Sequence, residues 1–206
     1  MSISATEQPS QTSQLSDGKQ TALPMPQPRK AKDSVYECEP FGLEFFGLEG
    51  TDQKAAAPVR HQFVRELEVS AKELWRILED PKSWPVWAAP GIAEVEWTTA
   101  RPYRVGTERT VFFIGGMEVY ERFIAWTPER EMAFCFRGTT QRVWWRFGEH
   151  YAIRPLGDSR CELTWTIAYE PRHVFAKIHA LAGPLMRLSL KRYADGLVKY
   201  CRKHSK

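Results

Sequence analysis

The feature that most limits the fold of this chain is a series of six strand-like segments closed by a proline. They cover residues 92–99, 106–114, 117–126, 131–137, 142–154 and 160–170. Between them lie short turns: Gly115-Gly116, Thr127-Pro128-Glu129-Arg130, Gly138-Thr139-Thr140 and Leu156-Gly157-Asp158. Strands joined by such turns pair with their chain neighbours and run antiparallel, and a Gly-Gly step between two of them is a strong hairpin signal. A meander of this kind has one face that must be covered. After Pro171, residues 173–203 read as one helix, long enough to cross the whole sheet at 1.5 Å per residue. Phe175, Ile178, Leu181, Leu185 and Leu188 recur at helical spacing and are the predicted buried stripe, and Gly183-Pro184 is expected to kink the helix.

The residues ahead of the meander complete the domain. Phe63, Val64, Leu67 and Val69 predict a further strand beginning near Arg60. Ser70 with Glu73 three residues later has the form of a capping box for a helix over 71–79. Asp80-Pro81 ends that helix, and a second helical turn through Trp84 and Trp87 is closed by Pro90-Gly91. The expected class is therefore α+β: a seven-stranded curved antiparallel sheet wrapped around a long C-terminal helix, with a short helical pair after the first strand. The folded domain spans 59–206. Residues 1–34, rich in Ser, Gln, Thr and Pro, bury too little apolar surface to offset the entropy of ordering and are expected to be a disordered tail. Residues 35–58 are a docking segment and linker. They contain Phe41-Gly42-Leu43-Glu44 followed by Phe46-Gly47-Leu48-Glu49, whose aromatic residues are expected to dock on the domain or on a partner.

Composition excludes several classes. A net charge of +4 falls short of a nucleic-acid-binding signature. The four cysteines, Cys38, Cys135, Cys161 and Cys201, form no CxxC pair and have no metal-ligand spacing with a histidine. No phosphate-binding glycine loop, HExxH or GxSxG occurs, so neither metal nor cofactor is expected. Residues 1–20 have no apolar run preceded by basic residues, and no window approaches the ~20 apolar residues of a membrane span. The expected location is the cytoplasm.

Strand alternation supplies the candidate site, because successive side chains point to opposite faces. Along 142–154, Val143, Trp145, Phe147, Glu149, Tyr151 and Ile153 share the face expected inside; Arg142, Trp144, Arg146, His150 and Arg154 share the wet one. The next strand offers Leu163, Trp165, Ile167 and Tyr169 to the same interior. So much large aromatic surface implies a ligand-sized void. Glu149 is then a lone carboxylate on an apolar face, which finds a donor or takes up a proton. It is the candidate polar anchor for a ligand, or a general acid/base; a structural hydrogen bond or a turn to solvent are the plainer readings. Glu121 is a second candidate, although both faces of 117–126 are mixed. Were both carboxylates inside, their repulsion would raise at least one pKa. Tyr151 and Tyr169 are candidate hydroxyl donors, Trp84 and Trp87 candidate wall residues, and Phe175 and His179 candidate contacts from the long helix. Arg187, Lys191, Arg192, Lys199, Arg202, Lys203 and Lys206 gather at the C-terminal end, where they complement the helix dipole or bring the domain into weak contact with an anionic membrane surface.

The order of elements resembles the START-like SRPBCC superfamily, in particular its polyketide cyclase/dehydrase and lipid-transport branch, from about residue 60 to 203. The residues that carry the resemblance are Val69-Ser70-Ala71, Asp80-Pro81, Trp84-Pro85 and Trp87, Glu121-Arg122-Phe123 before Trp126-Thr127-Pro128, Pro155-Leu156-Gly157-Asp158, and the closing helix. That resemblance implies a helix-grip fold with an internal apolar cavity for lipids, sterols, polyketides or quinones, and it places the Trp84–Trp87 turn at the cavity mouth. Three functions stay open at this point. One is binding of a hydrophobic small molecule. The second is a cyclase, aromatase or dehydratase using Glu149, with Tyr151 or Tyr169. The third is a ligand-free interaction domain. The oligomeric state is not legible.

Overall fold

A computed structural model describes residues 24–204, with the side chains of 173–182 outside that description. In chain order the elements are β1 (Tyr36–Glu37), a single 3-10 turn (Leu43–Phe46), β2 (Val59–Leu67), α1 (Ala71–Glu79), α2 (Trp84–Trp87), β3 (Ile92–Trp97), β4 (Glu108–Phe113), β5 (Glu118–Thr127), β6 (Glu131–Thr139), β7 (Trp144–Pro155), β8 (Cys161–Pro171) and α3 (His173–His204). All strand pairs are antiparallel, in the order β2-β8-β7-β6-β5-β4-β3. This is the helix-grip arrangement expected from the sequence. It has one strand more, because the two residues of β1 pair with Thr139 and Gly138 of β6.

Local chemistry places the elements. Ser70 Oγ accepts from the Glu73 backbone N–H at 3.1 Å, capping α1. Gly115 and Gly116 both have positive φ, which allows the tight β4–β5 hairpin. The core lies between the concave face of the sheet and the helices, and includes Leu74, Leu78, Phe123, Phe134, Ile167 and Leu197. Among the described residues no helix is long and apolar enough to cross a membrane.

Three expectations need correction. The stripe that α3 buries is Leu190, Ala194, Leu197 and Cys201, whereas Leu185 and Leu188 are exposed. Periodicity shows that a helix has an apolar face, but α3 carries two overlapping apolar stripes and only tertiary contact selects one. The other members of the expected stripe, Phe175, Ile178 and Leu181, have side chains outside the described ones. Pro184 lies within α3. At the start of β7 the register slips between Trp144 and Arg146, which reverses the expected alternation there. Trp144 turns into the core; Trp145 turns outward, where the Arg172 guanidinium lies 4.0 Å from its ring. Finally, His150 is not on a wet face.

Residues 41–57 cover that face. Phe45 and Phe46 are buried on the convex side of the sheet with Ala57, Ala125, Ala133 and Ala168. Small residues on three strands leave a shallow seat, and Phe46 packs against the His150 ring with centroids 5.6 Å apart. Phe41 approaches bare backbone at Gly148, where a Cβ would lie 2.7 Å from its ring. Of the tail expected to be disordered, residues 1–23 lie outside the described residues. Arg29 is tied to the convex face: it pairs with Glu94 at 2.7 Å and Glu96 at 3.3 Å, and lies 3.4 Å from the Phe112 ring centroid.

Candidate functional site

A cavity of about 130 Å³ lies between the concave sheet and α3. Trp84 and Trp87 cover it from α2, while Phe134, Phe136, Trp144, Phe147 and Trp165 line it from the sheet. Met186, Leu190 and Tyr193 line it from α3, and Phe113 and Met117 from the β4–β5 hairpin. The two α2 indoles are fixed by their own neighbourhood. Trp84 Nε1 donates to the Leu78 carbonyl at 3.0 Å, and Trp87 Nε1 to Ser83 Oγ at 3.3 Å. With their N–H groups satisfied, both rings offer apolar surface to the cavity.

Against this wall stand two carboxyl groups, Glu121 of β5 and Glu149 of β7. Tyr151 Oη donates to Glu149 Oε2 at 2.5 Å, and Trp165 Nε1 donates to the same oxygen at 3.0 Å. Burial pushes the Glu149 carboxyl up to about 7, and the charge of Glu121 adds to the effect; the two hydrogen bonds and Arg109 oppose it. Burial also pushes Glu121 up, against the pull of the Arg109 guanidinium that hydrogen-bonds it.

Arg109 of β4 is 1% exposed. Its guanidinium carbon lies 4.2 Å from the Trp84 ring centroid, 4.7 Å from Phe134 and 5.2 Å from Phe123. Its Nη1 and Nη2 have no hydrogen-bond partner among the described residues, so the aromatic faces are what these nitrogens meet. An arginine does not give up its proton in a protein. Glu121 is therefore the carboxyl that balances it, and Glu149 is the one able to hold a proton near neutral pH. Both hydrogen bonds to Glu149 reach Oε2, which leaves Oε1 as the place for that proton, on a residue that lines the cavity.

Of the residues singled out in the sequence, Trp84, Trp87, Glu121, Phe147, Glu149 and Trp165 share the cavity wall. Tyr151 stands behind Glu149 as its donor. Tyr169 lies in the same core one layer behind the wall: its ring stacks on Phe147 with centroids 5.6 Å apart, and its hydroxyl lies 3.2 Å from His61 Nε2. Trp145 is outside, for the register reason given above. Phe175 and His179 have side chains outside the described ones. Sequence reasoning passed over Arg109, Trp144 and Tyr193. Alternation of Arg109 with Val111 and Phe113 was the available signal for the first; the slip in β7 concealed the second. The four thiols are all buried and free, and burial raises them to about 11 or 12, far from the range of a nucleophile.

Residues 58–202 match the family described as polyketide cyclase / dehydrase and lipid transport. The chain belongs to this family. The chain is 32% identical over 166 residues to an uncharacterized protein of Mycobacterium tuberculosis strain H37Rv, covering 81% of this chain and 93% of the other. Among solved structures, a START superfamily protein from Mycobacterium smegmatis superposes with a TM-score of 0.53 at 16% identity, over 71% of this chain and 96% of that one. The Zhui aromatase/cyclase from Streptomyces sp. R1128 superposes with a TM-score of 0.56 at 13% identity, over 71% of this chain and 93% of that one. At these identities the structural likeness is one of fold, and the family's chemistry has to be read from the cavity itself.

Proposed function

We propose that this protein binds a largely apolar small molecule of polyketide, lipid or quinone type in the cavity under α3, with a carbonyl or hydroxyl oxygen of the ligand against Glu149. The observation that carries the reading is a cavity-wall carboxyl with one oxygen held by Tyr151 and Trp165 and the other without a hydrogen bond among the described residues. A neutral carboxyl is a donor there, and a ligand oxygen that accepts from it spares it the cost of a buried polar group without a partner. The volume of about 130 Å³ is close to that of an engineered cavity of about 150 Å³ that takes up benzene. One ring or a short chain fits inside. Family membership supports ligand binding or cyclase chemistry in general terms.

A second reading has its own support. A carboxyl at about 7 is poised for proton transfer, so Glu149 would protonate a carbonyl during cyclisation or a hydroxyl leaving as water. Titration of candidate ligands, followed through the fluorescence of the wall tryptophans, tests the binding reading. Saturable quenching is expected, and Glu149→Gln is expected to bind within about fivefold of the wild type, because an amide still donates and one lost hydrogen bond is worth only about 1 kcal/mol. Catalysis predicts a different pattern, with turnover abolished in Glu149→Gln and binding kept. Absence of quenching by every apolar probe would defeat both.

A further inference from the structure

We propose that the rim of the cavity is a docking surface for an anionic lipid bilayer. The inference rests on the ligand-binding reading of the cavity, and its observations lie on the surface. Among the described residues the exposed large hydrophobic side chains are Val64, Val86, Val105, Ile114, Leu185 and Leu188. Four of the six are chain neighbours of cavity-wall residues, Val86 of Trp87, Ile114 of Phe113, Leu185 of Met186 and Leu188 of Ser189, and the Ile114 N–H donates to the Gly91 carbonyl at 2.9 Å, which sets the hairpin tip beside the end of α2. The four are 62%, 64%, 66% and 54% exposed. They belong to α2, the β4–β5 hairpin tip and α3, three separate pieces of chain, so the collar is a product of the fold and of no single apolar run. Exposed apolar surface gathered at one place marks an interaction site.

Charge selects the partner. From residue 187 to 203, α3 carries Arg187, Lys191, Arg192, Lys199, Arg202 and Lys203 against a single acid, Asp195. Lys191 is paired with Asp195 and Arg202 with Glu68, whereas Arg187, Arg192, Lys199 and Lys203 form no ion pair among the described residues. Arg192, Lys199 and Lys203 border the same surface depression as Val86. Apolar side chains flanked by unpaired cations match a bilayer interface, where the first enter the acyl boundary and the second meet anionic headgroups. Such a dock would set the cavity mouth against the phase in which an apolar ligand is dissolved.

Co-sedimentation of the full chain with vesicles tests this, using phosphatidylcholine alone and phosphatidylcholine with about one-third phosphatidylglycerol. Binding is expected to the anionic vesicles and to fall on raising salt to about 0.5 M. The double variant Ile114→Ser/Leu188→Ser, at exposed positions outside the cavity wall, is expected to lose about tenfold or more in vesicle affinity while its ligand quenching stays at the wild-type level. That comparison separates failure of the dock from failure of the cavity. Hydrogen exchange on the wild-type chain with vesicles gives a readout free of mutation: slowing is expected at 113–117 and 184–192. No anionic preference, a double variant that binds as the wild type does, or protection placed elsewhere would each overturn the proposal. A chain that ignores vesicles and captures an acidic protein through this rim would also overturn it.

Discussion

At the scale of single residues, three groups set the chemistry: Arg109, Glu121 and Glu149. Glu149 was legible from alternation as a lone carboxylate between Phe147 and Tyr151 on an apolar face, although alternation alone did not separate a ligand anchor from a structural hydrogen bond. Arg109 was not noticed, because an arginine near a strand end is ordinarily solvated and nothing in its own segment shows that aromatic rings from α2, β5 and β6 converge on it. The raised Glu149 carboxyl has a consequence for stability. The folded state holds a proton that the unfolded chain releases, so this contribution is present below an ordinary carboxyl value of 4.5 and is lost as pH rises through about 7. The interval corresponds to about 3 kcal/mol. Denaturant titrations between these pH values should show stability falling for the wild type and a flatter profile for Glu149→Gln. Removing one partner of the buried pair is more severe. Arg109→Met leaves Glu121 unpaired beneath the sheet and is expected to cost about 3–5 kcal/mol, with much of the loss recovered in Arg109→Met/Glu121→Gln; denaturation midpoints of the single and double variants measure it.

At the scale of elements, the sheet order and helix positions followed from turn chemistry, which is local. What escaped was decided by contacts between elements. The slip at Trp144 responds to pairing with β8 and leaves no mark on the sequence of β7. Likewise, α3 has apolar residues on more than one side, and the side that packs depends on α2 and β2. The doubled Phe-Gly-Leu-Glu motif announced that it must be covered or cover something, yet its seat was hidden, since Ala125, Ala133 and Ala168 on three strands look unremarkable individually. At the junction of α2 with α3 the two helices meet through backbone. A Cβ at Gly196 would stand 2.1 Å from the Trp87 carbonyl oxygen, a backbone atom that cannot swing aside. Gly196→Ala is therefore expected to destabilise the fold by about 1–3 kcal/mol and to weaken ligand quenching by displacing Trp87. Thermal unfolding and the titration above read the two effects separately.

At the scale of the whole molecule, the convex face of the sheet is padded by residues 41–57 and strapped at Arg29, while the core on the concave face encloses a cavity. The architecture thus places its cavity beneath α3 and beside the β4–β5 hairpin. A wall of tryptophan and phenylalanine around a protonatable carboxyl is costly to maintain for packing alone. The central claim is that this space holds an apolar guest, and native mass spectrometry of the freshly purified chain tests it most directly. The account predicts a stoichiometric adduct, released on denaturation and soluble in organic solvent, or its formation when the apo chain meets lipids, quinones and polyketide mimics. A bare mass that none of these shifts would contradict it.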